Sequence, residues 1–245
     1  MNGGPLLELD GITRRFGRVT VAEELSLVVG GGDAIGVVGP NGAGKSSLFS
    51  VISGDLAPDR GEVRFDGRSV TRLDPSGRCR LGIARTYQVP RPFEHMTVFE
   101  NVLVAVSRGA GLHGRPGAEL AASVLEETGL RAEANRPAGR LGLLQRKRLE
   151  LARAMATRPR LLLLDEVAAG LTDPEVAQLT EIVARARSAG VAVIWVEHVV
   201  RALTRVVGRL ICLAGGRFIA DGAPDEVLAS AAVREVFLGT DYGAS

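Results

Sequence analysis

The stretch Gly39-Pro40-Asn41-Gly42-Ala43-Gly44-Lys45-Ser46-Ser47 decides how the rest of the chain is read. A phosphate chain carries dense negative charge, and backbone N–H groups can hold it where no side chain intervenes. Gly39, Gly42 and Gly44 remove the Cβ atoms that would block that approach and permit the unusual dihedrals such a loop needs. Lys45 supplies a point charge for terminal phosphates, and Ser46 a hydroxyl for Mg²⁺. The flanks fit. An apolar strand pattern (Ala34, Ile35, Val37, Val38) runs in, and a helical pattern (Leu48, Phe49, Val51, Ile52) runs out, aiming the positive end of its dipole at the anion. Of 30 basic residues only two are lysines, Lys45 and Lys147, so a lysine here is no accident of composition. The stretch reads as a nucleotide loop rather than a Gly-rich turn before an ordinary helix.

At 245 residues the chain buries a full core as one domain, or one domain with a subdomain. Apolar residues make up 46% of it, but no apolar run approaches the length that spans a bilayer. The start, MNGGPLLELD, has no basic segment followed by an apolar one and is not read as a signal peptide, so a cytoplasmic location is expected. Cys79 and Cys212 lie in unrelated segments and are expected as reduced thiols. The net charge of +2, with Arg and acids interspersed, offers no basic tract for nucleic acid.

Taken in order, Leu6–Leu9 and Leu25–Val29 are short alternating runs separated by Gly-containing turns, an antiparallel β start. Phe16 lies on their connection; an aromatic there could stack on an adenine ring or plug the core. Glu62–Phe65 is another alternating strand. Asp74 and Pro75 start a short helix. A strand at 82–86 delivers Gln88 into the Pro-broken loop QVPRPF. Thr97 and Glu100 form a capping box for a helix through Val106. Helices follow at Ala118–Thr128 and Leu143–Ala156. Leu161–Leu164 and Val191–Val196 are continuous apolar runs, the mark of parallel strands buried on both faces. Between them Asp173 and Pro174 open a helix ending at Gly190. A hairpin at Gly215-Gly216 and helices from Pro224 to Leu238 close the chain. The organisation is a parallel α/β core with a β-rich N-terminal flank and a helical insertion at about residues 89–157.

LLLLDE, residues 161–166, ends a buried strand in two carboxylates. Ligands of open parallel sheets sit at the carboxyl ends of the strands, so Asp165 and Glu166 are expected beside the phosphate loop. One carboxylate can hold Mg²⁺ through water, and the next can polarise an attacking water. A second apolar strand ends in Glu197-His198. His198 could reach a γ-phosphate, or be an exposed histidine at a helix start. Gln88 could touch both metal and water, or be an ordinary loop residue.

The order Phe16, phosphate loop, Gln88, QRKRLELARAM, LLLLDE and VEH resembles an ABC-transporter ATP-binding subunit over nearly the whole chain. It is most similar to the branch importing branched-chain and other hydrophobic amino acids, through IARTYQVPRPFEHMTVFENVLVA, RKRLELARAM, the AAGL after the acidic pair, and the ending REVFLG. The resemblance implies a P-loop NTPase α/β domain over residues 5–240 with an inserted helical subdomain. It makes Phe16 the adenine-stacking residue, residues 39–47 the ATP loop, and Ser46, Gln88 and Asp165 the Mg²⁺ ligands. Glu166 becomes the catalytic base, Ala169–Thr172 the D-loop and His198 the switch histidine. It also implies a second ATPase subunit, membrane permease subunits, a substrate-binding protein working with them, and a peripheral place on the inner face of the cell membrane.

Where such subunits carry Leu-Ser-Gly-Gly-Gln facing the partner's ATP, this chain has Leu141-Gly142-Leu143-Leu144-Gln145. Gly142 lacks the serine hydroxyl, and Leu144 is expected to put four carbons where backbone should approach. The altered signature leads to the expectation of a heterodimer with a paralogue. The loop of Pro90, Pro92 and Phe93 is suited to a short permease helix, although Phe93, Val98 and Phe99 could equally pack the insertion's own core. Rival readings are an ATPase for lipid or lipopolysaccharide export, a soluble non-transport ATPase, and a degenerate subunit that binds ATP without hydrolysing it.

Overall fold

Val38 is the last residue of a five-residue strand that is buried throughout and hands the chain to the phosphate loop. The computed structural model describes residues 4–241, with side chains to residue 236. The first residues of MNGGPLLELD thus lie outside the described residues, as do the side chains of the last part of REVFLG. The N-terminal half contains β1 (Leu7–Phe16), β2 (Val19–Val29), β3 (Ala34–Val38), α1 (Lys45–Ser53), β4 (Arg60–Phe65), β5 (Arg68–Ser69), α2 (Pro75–Leu81) and β6 (Ile83–Arg85). Then come α3 (Val98–Ala105), a π-helical turn at Val106–Ala110, α4 (Gly114–Glu127) and α5 (Leu143–Ala156). The remainder is β7 (Leu161–Asp165), α6 (Asp173–Ser188), β8 (Ala192–Val196), α7 (Val200–Leu203), β9 (Arg209–Ala214), β10 (Arg217–Gly222), α8 (Pro224–Ala229) and α9 (Ala231–Asp241).

The strands form two sheets, β2-β1-β4-β5 and β10-β9-β3-β8-β7-β6. The first is antiparallel. In the second, the pairings from β9 through β6 are all parallel, and β10 closes one edge antiparallel to β9. Residue alternation splits the larger sheet between two cores. Ile35, Val37, Leu161, Leu163 and Ile194 pack with the first sheet and α1. Ala34, Val38, Leu162, Leu164 and Trp195 pack on the opposite face with α6 and α7. A third cluster joins α3, α4 and α5 around Val98, Val102, Leu125 and Leu149.

β1 and β2 are longer than their alternation suggests, ten and eleven residues. Register shifts between Leu9 and Arg15 explain this. Gly11 and Glu24 take positive φ of 57° and 51°, which bends the ladder and breaks the period-2 pattern while pairing continues. The caps behave as the sequence predicts: Asp74 accepts from Gly77 N–H at 2.8 Å, and Thr97 with Glu100 forms the capping box. The helix it caps ends at Ala105 and runs on as the π turn rather than stopping at Val106. α4 starts at Gly114, four residues before the apolar periodicity. Cys79 and Cys212 are free thiols.

Candidate functional site

Because β3, β6, β7 and β8 run parallel, the segments that follow them gather at one edge of the sheet. The phosphate loop follows β3, Gln88 follows β6, Asp165 ends β7 with Glu166 next, and Glu197-His198 follows β8. A shallow cavity of about 230 Å³ lies between Val21, residues 41–47 and Glu166.

The three glycines of the loop have different reasons to be glycine. All take positive φ, 154° at Gly39, 78° at Gly42 and 107° at Gly44. A Cβ on Gly39 would stand 2.0 Å from the Leu213 carbonyl oxygen, and one on Gly44 2.2 Å from that of Val21. At these two the missing Cβ makes room for the chain's own backbone, a requirement the sequence did not announce. Only at Gly42 would a Cβ meet nothing within 4 Å, so this is the open side of the loop. Lys45 is 6% exposed, and its Nζ donates to the Gly39 and Pro40 carbonyls at 2.7 and 2.9 Å. Burial pushes its pKa down, opposed by the nearby Glu166 and Asp165 carboxylates. The first N–H groups of α1, from Lys45, Ser46 and Ser47, have no partner in their own helix and open into the same cavity.

Across the cavity the Glu166 carboxylate is held at both oxygens. Gln88 Nε2 donates to Oε2 at 2.5 Å, and His198 Nε2 lies 3.0 Å from Oε1. The Glu166 backbone sits at φ 47°, a left-handed conformation that costs a non-glycine residue about 1–2 kcal/mol. His198 precedes α7 and its side chain is half-exposed, yet it faces Glu166. Asp165 is buried, and Arg85 Nη2 holds its Oδ2 at 2.9 Å. Phe16 is 50% exposed at the end of β1, which excludes the core-plug reading; the Arg14 guanidinium lies 4.9 Å from its ring centroid.

The Leu141–Gln145 stretch differs from expectation in one respect. Leu144 does not point outward; it packs against the core cluster that contains Val167 and Ala168. Leu143 is the outward residue, 46% exposed, with its Cδ2 beside Gly170 of the 169–172 loop. The phase of α5 explains the swap, since Leu141 and Lys147 are both buried and Leu144 lies on the same face. Gly142 caps α5 without a side-chain bond, and the Gln145 amide oxygen lies 2.9 Å from where its Cβ would be.

Several polar residues of the site carried no sequence signal of their own. Arg85 binds Asp165, Asp55, Ser50 and Ser53 together. Glu197, buried, accepts from the Ala168 and His198 N–H groups at 2.6 and 3.1 Å and so ties the residue before the 169–172 loop to the end of β8, where His198 follows. Burial pushes its pKa up. Lys147, 3% exposed, donates to the Gln88 and Glu166 carbonyls. The scarcity of lysine was the one available hint: both lysines of the chain are buried here.

A glycine loop open only at Gly42, a lysine beside it, helix N–H groups and a facing acidic pair suit a polyphosphate, and they define a P-loop nucleotide-binding α/β protein. A family model described as "ABC transporter" matches residues 22–169, and the chain belongs to that family; it is an ABC ATPase that binds nucleotide. It is 37% identical to the high-affinity branched-chain amino acid transport ATP-binding protein BraF of Pseudomonas aeruginosa, over 96% of this chain and 98% of that protein. It is 32% identical to the lipopolysaccharide export system ATP-binding protein LptB of Acidithiobacillus ferridurans, over 97% and 98%. A crystal structure of an ATP-binding cassette of an ABC transporter in its ADP conformation superposes with a TM-score of 0.85 at 28% identity, covering 96% of this chain and 99% of that one.

Proposed function

We propose that this chain is the energy-coupling ATPase of an importer for branched-chain or other hydrophobic amino acids, placed peripherally on the inner face of the cell membrane. The observation that carries the reading is Glu166 held between Gln88 and His198 opposite the phosphate loop, in a chain similar to BraF from end to end. In the described residues no helix is long and apolar enough to cross a membrane, which fits work with separate permease chains. LptB-like lipopolysaccharide export is the second reading, supported by the 32% relative.

In this reading residues 5–240 are one nucleotide-binding domain, and residues 89–157 its inserted helical subdomain. Phe16 stacks on adenine. Residues 39–47 cradle the phosphates, with Lys45 turning from the Gly39 and Pro40 carbonyls onto the terminal ones. Ser46, Asp165 and Gln88 would hold Mg²⁺, which when bound neutralises charge developing on the phosphate oxygens. Glu166 takes a proton from water as the water oxygen bonds to the γ-phosphorus and the bond to the bridging oxygen of ADP breaks. Gln88 and His198 orient the carboxylate that receives that proton. Soluble non-transport work has no feature in its favour, and a degenerate, non-hydrolysing subunit would not need this arrangement.

Partners follow from two surfaces. The Leu141–Gln145 end of α5 would face ATP on a second ATPase subunit, a paralogue with a serine-containing signature. A groove of about 310 Å³, lined by Tyr87, Ala105 and Arg153 among others, would take a permease helix. Half-exposed Tyr87 lines it and half-exposed Phe93 lines the adjoining cavity that shares Ala105 and Arg153 with it, while Val98 belongs to the core of the helical cluster and Phe99 packs against that core. A substrate-binding protein would act through the permeases. The test is uptake of labelled leucine by cells lacking their own importer ATPase and supplied with this chain, its paralogue and the permeases. Uptake that depends on Glu166 supports the reading; lipopolysaccharide transport in its place would favour export.

A further inference from the structure

α5 does more than present its N-terminus. Along one side of it Lys147, Glu150 and Arg153, spaced three residues apart, all reach the segment 87–91 that carries Gln88. Lys147 Nζ donates to the Gln88 carbonyl at 2.7 Å and to the Glu166 carbonyl at 3.2 Å. Arg153 donates to the Arg91 carbonyl at 2.8 Å and pairs with Glu150 at 3.2 Å. The buried Glu150 carboxylate faces the Tyr87 and Arg91 amides. Lys147 and Arg153 of one helix thus hold one loop by its carbonyls, with Glu150 between them against its amides, and the first of them also holds the residue after β7.

Lys147 is the junction. A lysine ammonium has three donors on a flexible stem, which suits two carbonyls converging from different strands. Glu197, Glu166, Glu150 and Asp165 all lie close enough to favour its charge against the burial that lowers its pKa. Glu166 sits at φ 47°, and a left-handed residue keeps its conformation only where its surroundings impose it. The Lys147 bond to its carbonyl is one such restraint; the Glu166 N–H bond to the Val196 carbonyl at 2.9 Å is another.

We propose that Lys147 is a positioning residue for ATP hydrolysis, which fixes the Gln88 and Glu166 backbones to α5 so that both carboxylate-orienting contacts form together and move with the helix that bears Gly142 and Leu143. Nucleotide binding itself does not depend on it, because Lys147 lines none of the phosphate-loop cavity.

The test uses the full chain with Lys147→Met, Lys147→Gln and Lys147→Arg. In the nucleotide-free protein, amide exchange in residues 87–91 and 166–168 should speed up by about tenfold in the Met and Gln variants, while residues 34–53 stay as in wild type. In a Glu166→Gln background, where turnover is absent, ATP affinity should stay within about threefold. With Glu166 intact, kcat should fall about 30-fold or more at nearly constant KM, and Lys147→Arg should restore most of it. Unchanged exchange in both neutral variants overturns the proposal, as does ATP affinity that falls as far as kcat. The kinetic arm rests on the ATPase reading. A wild-type chain without Glu166-dependent turnover would fail that reading, while the exchange and affinity arms still decide whether Lys147 holds the two backbones.

Discussion

His198 Nε2 lies 3.0 Å from Glu166 Oε1, and the other oxygen of that carboxylate is taken by Gln88. The two residues come from different strands, 32 positions apart, and meet because β7 and β8 are adjacent and parallel, with Asp165 opposite Val196. A carboxylate held at both oxygens is pre-oriented to accept a proton from water. Glu166→Gln should therefore retain ATP binding and lose turnover by at least about 10²-fold, since the amide is nearly isosteric but no base. His198→Ala should lower kcat while leaving ATP affinity unchanged. Steady-state ATPase and equilibrium nucleotide binding check both; turnover of Glu166→Gln at the wild-type rate would move the base elsewhere.

Phe16 presents half its surface and supports no core, so its removal should not unfold the protein. Stacking of an aromatic pair contributes about 1 kcal/mol. Phe16→Ala should weaken ATP binding by about tenfold or less, with an unchanged melting temperature. Phe16→Tyr should keep wild-type affinity. Titration with a fluorescent ATP analogue measures both, and a folded Phe16→Ala that binds as wild type would remove Phe16 from the site.

Gly42 and Gly44 should separate binding from stability. Gly44→Ala drives a Cβ into the Val21 carbonyl and should destabilise the fold by more than about 2 kcal/mol. Gly42→Ala meets open space and carries only the left-handed backbone cost, about 1 kcal/mol, but it adds a methyl to a residue that lines the cavity. Thermal denaturation should rank Gly44→Ala well below Gly42→Ala, while both lose ATP binding. Lys45→Ala should lose phosphate binding in a chain that still folds.

Gly142→Ser should fit, because the new Cβ meets only the Gln145 amide oxygen at 2.9 Å, the end of a side chain free to turn. It restores a hydroxyl at the start of α5, and a hydrogen bond to a charged phosphate contributes about 1.5–3 kcal/mol. Since each signature would serve the opposite subunit, the isolated chain should hydrolyse ATP slowly and gain about tenfold or more from Gly142→Ser. Mixing wild type with a paralogue carrying Leu-Ser-Gly-Gly-Gln should give a similar gain. A wild-type chain that alone turns over as fast as the mixture would rule out the asymmetric pair.

The features that depend on local chemistry were legible in the chain itself. Residues 39–47 carry the loop's glycines and lysine in order; Asp74, Thr97 and Pro174 mark helix starts; the continuous apolar runs of β7 and β8 declare a sheet buried on both faces. That sheet type alone brings Gln88, Asp165, Glu166 and His198 to one edge, because parallel strands end on the same side. What the sequence could not show depends on contacts between distant segments. The bulges at Gly11 and Glu24 hide the length of β1 and β2, since a register shift erases alternation. Whether Leu143 or Leu144 faces outward is set by how α5 rotates against Val167 and Ala168. Gly39 and Gly44 are required by carbonyls at Leu213 and Val21 that no local pattern announces. The rarity of lysine marks Lys147 but not its role, because its partners are main-chain carbonyls 59 and 19 residues away, and a backbone oxygen leaves no trace in the residue type that carries it.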